Sequence, residues 1–211
     1  MKAKYTSHAG LNMRDEVKRV AIELLLQNGY QGLRFRDIAD RLGTSRANIH
    51  HHFGNKLNLC EEVITEYVAR TLESWEANWC GPKTLNAKIE GMMEANRARY
   101  LAFNPTGQTA HPWSLIGRMR LERETISPHA QQALVEFGIT LDRLVLAGVS
   151  QAIEKGELVP DAPREAISLQ LVAVADSAGF ITQDGGDFRR LEQLYRSISS
   201  IVQEAYGPQN R

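Results

Sequence analysis

The segment from Phe35 to Phe53 restricts the possible fold more than any other part of the chain. Its first half places three apolar residues on one helical face: Ile38, Ala39 and Leu42. Gly43 then provides a turn, and Ser45 is placed to cap a second helix by accepting a hydrogen bond from a backbone N–H three residues later. The second helix buries Ile49 and Phe53, which lie one turn apart. This order predicts a helix-turn-helix.

The polar side chains of the second helix are of the types that contact DNA. Those that point away from its apolar side are Arg46, Asn48, His50 and His51. Arginine can pair with guanine through two hydrogen bonds, and asparagine can pair with adenine in the same way. For this pattern alone, the alternative is an ordinary helical hairpin with a solvated polar face.

The flanking sequence favours the DNA-binding interpretation. An upstream helix is predicted to end at Asn28-Gly29, and its apolar stripe consists of Val17, Val20, Ala21, Leu24 and Leu25. Downstream, Asn55 is placed to cap a long fourth helix, and Lys56 lies at its start, where a DNA phosphate can bind. Three short helices and a long fourth one together form a DNA-binding domain.

This region resembles the TetR family of bacterial transcriptional regulators. The matching motifs cover about the first quarter of the chain: Gly29-Tyr30, Ile38-Ala39, Leu42-Gly43, Ser45, Ile49, His52-Phe53 and Asn55-Lys56 through Leu59. The resemblance implies that the following residues contact operator DNA: Arg36, Arg46, Ala47, Asn48, His50, His51 and Lys56.

The sequence departs from the family pattern at two places. His50 and His51 stand where the family usually has a tyrosine, often followed by another aromatic residue, and this exchange alters the expected phosphate and thymine-methyl contacts. Arg34 stands where the family often has a capping threonine, and it offers a phosphate contact in place of a hydroxyl. Together with Thr44 and Ser45 beside the turn, Arg34 completes the predicted DNA-binding set.

The two ends of the chain differ in charge, although the formal net charge of the whole chain is zero. Residues 1–60 hold ten Lys or Arg against five Asp or Glu, and residues 61–211 hold fifteen against twenty. A basic domain on an acidic body orients the protein on DNA, because neutralisation of phosphates dominates non-specific affinity. The alternative is that the two charges merely complement each other.

Composition and cysteine usage are typical of a globular protein of the cytoplasm. No run approaches the roughly 18 uncharged apolar residues of a membrane span, and the N-terminus has no signal-peptide hydrophobic region. We therefore expect a cytoplasmic location and no membrane partner. Cys60 and Cys80 fall about twenty residues apart on the predicted fourth helix, too far to pair within it. Both are predicted to be buried packing residues; a redox link between subunits is the alternative.

Every convincing periodicity beyond the DNA-binding segment is helical, so the sequence predicts an all-α fold of about nine helices. Residues 1–57 form the helix-turn-helix DNA-binding domain in this prediction, and residues 58–211 form a helical domain for effector binding and dimerisation. The helices predicted after the second helix of the motif are Lys56–Trp79, Thr84–Phe103, Pro112–Leu121, Ser127–Lys155, Pro163–Ile181 and Asp187–Tyr206.

The last two predicted helices carry more apolar surface than the outer layer of a monomer needs. Residues spaced three and four apart form a stripe that is predicted to be the dimer interface: Ile167, Leu171, Val174, Ala178, Ile181, Leu191, Tyr195, Ile198 and Val202. Further apolar residues lie outside this stripe, at Leu169, Phe180, Leu194 and Ile201. Burial on two sides in a four-helix bundle with a second copy is therefore expected, as the resemblance also implies. The alternative is that both helices pack only on their own core.

The middle helices hold the aromatic and flexible apolar residues that a small-molecule pocket needs. The predicted effector-binding residues are Trp75, Trp79, Met92, Met93, Tyr100, Trp113, Ile116, Arg120 and Phe137. Core packing is the alternative for each of them. Three polar residues near the short sixth helix favour an anionic ligand, such as a carboxylate or an acyl thioester, if one of them faces the cavity. They are His111, Arg118 and Arg120.

Three adjacent histidines, His50 to His52, resemble a metal-binding tract. Consecutive helical residues point about 100° apart, so these three cannot converge on one ion. The sequence also has no phosphate-binding glycine loop, Cys-x-x-Cys pair or nucleophile elbow. We expect no catalysis, no metal and no other cofactor.

The sequence thus predicts a homodimeric repressor that binds a palindromic operator and is released by a small molecule whose identity it does not give. Two alternatives stay open at this point. One is a DNA-binding regulator or activator that needs no ligand, and the other is a helical protein–protein adaptor.

Overall fold

Nine α-helices make up most of residues 12–208, the part of the chain that the computed structural model describes. Their bounds are α1 Met13–Gly32, α2 Phe35–Leu42, α3 Arg46–Phe53, α4 Lys56–Trp79, α5 Leu85–Phe103, α6 Leu115–Leu121, α7 Pro128–Glu154, α8 Arg164–Gly185 and α9 Arg189–Tyr206. A 3-10 turn, Arg123–Thr125, lies between α6 and α7. These residues contain no strand, so the all-α prediction is confirmed. The ends of the two predicted domains, 1–11 and 209–211, lie outside the described residues.

Side-chain caps fix the starts of three helices that the sequence predicted. The Ser45 hydroxyl accepts a hydrogen bond from the Asn48 N–H at 3.1 Å at the start of α3. The Asn55 side chain accepts one from the Asn58 N–H at 2.9 Å at the start of α4. Ser127 caps α7 in the same way, with a proline in the first turn. Each cap satisfies a backbone donor that has no partner within its helix.

Helix α1 extends beyond its predicted end through a kink at Gly29. This residue has φ 68° and ψ −177°, a positive φ that glycine adopts without strain. The backbone therefore leaves the helical conformation where the sequence predicted the end of this helix, and a further short turn continues to Gly32. A Cβ at position 29 would lie 2.2 Å from the Glu122 Oε1 atom. The chain just after α6 therefore packs directly on the kink of α1.

Helix α4 belongs to both parts of the fold. It packs on α1 and α3, and it also packs along α7, its most extensive partner. Helix α8 packs against α7 and α9, and α9 packs against α5. One continuous cluster of buried apolar side chains extends from α1 to α9. No gap in packing separates the DNA-binding domain from the helices that follow it.

The last turn of α8 lies beyond the predicted end at Ile181. Thr182 is buried, and its hydroxyl donates to the backbone of the preceding turn. The same hydroxyl accepts a hydrogen bond from the Trp113 indole N–H at 2.7 Å. This contact holds α8 helical as far as Gly185.

The two cysteines differ in environment. Cys60 is buried on α4, and burial raises the pKa of its thiol to about 12. Cys80 is exposed, because α4 ends at Trp79 and leaves it outside the packed stripe. The prediction of a buried packing residue is therefore wrong for Cys80.

Candidate DNA-binding surface and ligand pocket

Helix α3 presents its polar side to solvent because its apolar side is held in the domain core. Ile49 and Phe53 are both buried. The predicted DNA-binding residues lie along α3, in the turn before it and at the starts of α2 and α4, and all are exposed or half-buried: Arg34, Arg36, Thr44, Ser45, Arg46, Ala47, Asn48, His50, His51 and Lys56. All of them are accessible to a ligand that approaches α3.

Two side chains on this surface are oriented by neighbours. The Asn48 side-chain amide donates to the Thr44 hydroxyl at 3.0 Å. The His50 Nδ1 atom lies 2.8 Å from the Gly54 carbonyl oxygen, so it carries the proton and leaves Nε2 as an acceptor in the neutral ring. The Phe35 ring packs edge-on against His50 with a centroid distance of 4.7 Å. Across residues 12–208, no three His, Cys, Asp or Glu side chains are grouped to hold a metal ion.

The positive charge of this surface is largely uncompensated. Arg34 and Arg46 form no ion pair with any residue between 12 and 208. Arg36 and Asp40 are 3.7 Å apart, but both side chains are well exposed, so this pair is weak. Basic residues elsewhere in the domain are used internally: Arg14 pairs with Glu62 and Lys18 with Glu66 across the contact of α1 with α4.

Lys56 has an internal partner that the sequence did not predict. Its ammonium donates to the Tyr30 carbonyl oxygen at 3.0 Å and lies 4.3 Å from the centre of the Tyr30 ring. An ammonium has three N–H donors, so two remain for a phosphate. The phosphate contact of Lys56 stays a prediction.

Tyr30 also contacts the segment just after α6. Its N–H donates to the Glu122 carboxylate at 2.7 Å, and the second oxygen of Glu122 pairs with Arg118 at 2.8 Å. Arg118, which was considered for the anionic ligand, is therefore used at this junction. Sequence reasoning missed Glu122 because its backbone partner lies 92 positions away, beyond the reach of any local pattern.

A cavity of about 40 Å³ lies among α4, α5, α6, α7 and α8. Five of the predicted effector-binding residues line it: Trp75, Trp113, Ile116, Arg120 and Phe137. The remaining lining includes Tyr67, Asn96, Arg99 and Asp176. Arg120 and Asp176 form an ion pair of 2.7 Å. The cavity holds a few water-sized molecules and is much smaller than a pocket for a drug-sized ligand.

The other four predicted effector residues lie outside this cavity. Trp79 is packed so closely against α7 that a Cβ on Gly148 would lie 2.4 Å from its ring. Met92 is fully buried in the core, and the Tyr100 hydroxyl donates to the Thr109 carbonyl at 2.6 Å. Met93 lines a separate open groove between α5 and α9. None of these four lines this cavity, because helical spacing places a residue on the core side of a helix without showing which neighbour it meets. Their part in effector binding stays a prediction.

Arg99 is a pocket residue that sequence reasoning missed. It follows Asn96 by three positions and borders the buried stripe of α5, which contains Ile89, Met92, Met93, Asn96 and Tyr100. Burial lowers the pKa of its guanidinium and raises the pKa of the Tyr67 phenol on the same cavity. A polar residue interrupting an apolar stripe is the signal that points to such a position.

The predicted dimer stripe faces the protomer's own core. Six of its nine residues are buried within the protomer: Ile167, Leu171, Ala178, Leu191, Tyr195 and Val202. Their assignment to the interface is wrong, since a buried residue cannot meet a second copy. The other three, Val174, Ile181 and Ile198, are half-buried.

The second apolar stripe is the exposed one. Leu169 and Phe180 on α8 and Ile201 on α9 are 68%, 45% and 58% exposed. Helix α8 is also the one helix of residues 12–208 whose length and hydropathy would allow a membrane span. Its inner side packs on α7 and α9, and its Asp176 pairs with Arg120. A helix that is apolar on both sides and carries such an ion pair is typical of one buried between protein surfaces.

Comparisons with known proteins agree with this geometry. Residues 19–63 match the model of the family described as bacterial regulatory proteins, tetR family. The chain is 28% identical over 196 residues to the HTH-type transcriptional repressor AcnR of Corynebacterium glutamicum, covering 92% of this chain and 94% of the relative. It is 30% identical over 79 residues to the HTH-type transcriptional regulator QacR of Staphylococcus aureus, covering 37% and 42%.

A solved structure shares the whole fold. The TetR transcriptional regulator from Chloroflexus aurantiacus superposes with a TM-score of 0.74 at 18% identity, covering 93% of this chain and 96% of that one. The similarity therefore includes the helices that surround the pocket as well as the helix-turn-helix.

Proposed function

The chain belongs to the TetR family and is a DNA-binding transcriptional regulator, and we propose that it is a homodimeric repressor released from a palindromic operator by a small molecule. The observation that carries this proposal is the exposed side of α3, whose Arg46 has no ion-pair partner among residues 12–208. The AcnR relatives are named as repressors, and this supports repression over activation.

In the proposed complex, two copies place their α3 helices in successive major grooves about 34 Å apart. Arg46 and Asn48 contact base edges, and Arg34, Arg36 and Lys56 contact phosphates. Thr44, Ser45, Ala47, His50 and His51 complete the contact surface. The charge difference between the two ends of the chain supports this orientation, because the acidic body is repelled by the phosphates.

The exposed stripe of α8 and α9 supports the homodimer. Leu169, Phe180 and Ile201 form an apolar surface that a second copy can cover through the same surface of its own. Packing of both helices against their counterparts gives a four-helix bundle. The half-buried Val174, Ile181 and Ile198 lie between this surface and the core.

The position of the pocket supports release by an effector. The cavity is bounded by α4, which begins beside α3, and by α6, whose neighbour Glu122 contacts the kink of α1. A ligand that enlarges the cavity displaces these helices and changes the separation of the two α3 helices. It releases DNA only to the extent that it binds the DNA-incompetent conformation more tightly, typically by about 1–3 kcal/mol.

Selection of DNA sequences from a random library by the purified protein tests the DNA-binding part of the proposal. We expect enrichment of a palindrome whose half-sites are about one helical turn apart or a multiple of it. A promoter carrying this sequence should then direct less expression of a reporter gene when the protein is present. Raised expression would indicate an activator, and no enrichment over an Arg46→Ala control would favour a protein–protein adaptor.

We place this activity in the cytoplasm, where a bacterial chromosome is accessible. Regulators of this family are generally not enzymes, and the proposed mechanism needs only binding equilibria. It requires operator DNA, the effector and a second copy of the chain, with no cofactor.

A further inference from the structure

We propose that the pocket binds a compact monocarboxylate, with Arg99 as its positive partner and the Trp75 indole N–H as a hydrogen-bond donor. The inference rests on the proposed function, because it names the ligand class of the same pocket. It differs from the sequence-based expectation, which placed the ligand's positive partner near the sixth helix.

Arg99 differs from the neighbouring arginines in having no negatively charged partner. Arg97 lies 2.8 Å from Glu192 and Arg120 lies 2.7 Å from Asp176, so both are neutralised by the protein. Arg99 has no carboxylate within ion-pair distance among residues 12–208. Its contacts are a long hydrogen bond of 3.4 Å to the Asn96 side-chain oxygen and the Trp75 ring at 5.7 Å. A guanidinium withdrawn from water without a counter-charge is unfavourable until an anion binds.

The indole N–H of Trp75 favours the same ligand. Trp75 is only 4% exposed, and its indole Nε1 atom has no hydrogen-bond partner. The other indole on this cavity, that of Trp113, is satisfied by Thr182. Buried indole donors usually have partners, so the unpartnered N–H of a tryptophan that lines the cavity favours a ligand with an acceptor. A carboxylate supplies acceptors for both Trp75 and Arg99.

The size and the walls of the cavity limit the rest of the ligand. A volume of about 40 Å³ admits a carboxylate with a short chain. The lining also includes apolar side chains, such as Ile116 and Phe137, and these suit a methyl or ethyl group. The charged groups on the lining are Arg99, Arg120 and Asp176, giving one net positive charge. One negative charge neutralises it, and a second one would be buried without a partner.

Calorimetric titration of the DNA-free protein with acetate, propionate and butyrate tests the proposal, with acetamide and propionamide as neutral matches. We expect at least one of the carboxylates to bind, and its amide to bind at least about tenfold more weakly, because a hydrogen bond to a charged group is lost. Arg99→Gln should lower carboxylate affinity about tenfold to a hundredfold. Arg97→Gln, two positions away on the same helix and paired outside the pocket, is the matched control and should bind as the parent does.

A second readout separates a ligand-binding arginine from a structural one. Since Arg99 is uncompensated in the empty pocket, Arg99→Gln should raise the Tm of the ligand-free protein while weakening binding. Arg97→Gln loses an ion pair and should not raise it. Trp75→Phe keeps an aromatic ring but removes the N–H, and it should also weaken carboxylate binding.

Two results overturn the inference. One is that none of the three carboxylates binds, or that each one that binds does so no more tightly than its amide. The other is unchanged carboxylate affinity in Arg99→Gln. Because these titrations contain no DNA, they are independent of the repressor proposal. A protein that binds its operator but no carboxylate refutes only the ligand class, and one that binds carboxylate but no DNA refutes the proposed function.

Discussion

The DNA-binding surface and the ligand pocket both contain an arginine with no carboxylate partner among residues 12–208, but the two regions hold it in opposite environments. Arg46 is exposed on α3, where water solvates its charge. Arg99 is partly buried against Trp75, where burial lowers its pKa. An exposed charge has little effect on the stability of the protein when no DNA is bound. A buried charge without a counter-charge makes the empty pocket less stable than the filled one. A substitution at the surface can therefore change function without changing stability, whereas a substitution in the pocket changes both.

The largest effect is expected from a change in the body that leaves the DNA-binding surface intact. Ile201→Glu should convert the proposed dimer to monomers, because burial of an unpaired charge costs several kcal/mol, on the order of a thousandfold in the dimerisation constant. Sedimentation measures this directly. Ile139→Glu, on the 63% exposed Ile139 of α7, is the matched control and should remain dimeric. A folded Ile201→Glu dimer would place the interface elsewhere.

A change at the DNA-binding surface should affect function without affecting stability. Arg46→Ala should weaken operator binding by about 1–3 kcal/mol and relax selectivity at one base pair in each half-site. Its Tm should equal that of the parent, in contrast to Arg99→Gln. Anisotropy titrations with operator and random DNA test this. Equal weakening on both DNAs would show that Arg46 contacts phosphate and not a base.

A change at the boundary of the two regions should reduce stability. Gly29→Ala forces an L-residue into a backbone conformation, φ 68° and ψ −177°, that essentially only glycine adopts, at a cost of about 1–3 kcal/mol from the backbone alone. It also places a Cβ where the Glu122 carboxylate lies. The midpoint of urea unfolding should fall accordingly. Gly156→Ala, also at positive φ but with no atom within 4 Å of the added Cβ, is the comparison variant that adds no side-chain contact. Equal losses in the two variants would mean that the contact with Glu122 is unimportant.

The smallest effect is expected at Lys56. Lys56→Ala should weaken specific and random DNA alike and reduce the salt slope of binding by about one per subunit. Because Lys56 also binds the Tyr30 carbonyl, a slight loss of stability should accompany this change. A salt slope equal to that of the parent would show that Lys56 serves only the internal contact.

Local patterns predicted the DNA-binding domain well. The caps at Ser45 and Asn55 connect residues three positions apart, and the burial of Ile49 and Phe53 follows from the helical repeat. Such features depend on the backbone of one segment, so they can be read from its sequence. The break in α1 at Gly29 was predicted as well, but the turn that follows it was not, because the Tyr30 N–H is bound by the distant Glu122.

The pocket and the interface were less predictable because they depend on which helices meet. Periodicity identified two apolar sides on α8 and α9. In the structure, the stripe that contains Leu171 packs in the core, and the stripe that contains Leu169 is exposed. Likewise, the sequence placed Arg120 near a cavity without showing that Asp176, 56 positions away, neutralises it. The uncompensated Arg99 becomes recognisable only when every nearby carboxylate has been located.

The Glu122 contact with the Tyr30 N–H makes that amide proton a reporter of the junction between the two regions. Tyr30 follows the kink, and its N–H is held by a side chain that belongs to the other region. Exchange of this proton with deuterium therefore requires the chain after α6 to leave α1, and its rate measures the free energy of that separation. The exchange rate of this amide can be compared between the free, DNA-bound and ligand-bound protein. The differences give the free energy by which each partner favours the contact between the chain after α6 and α1.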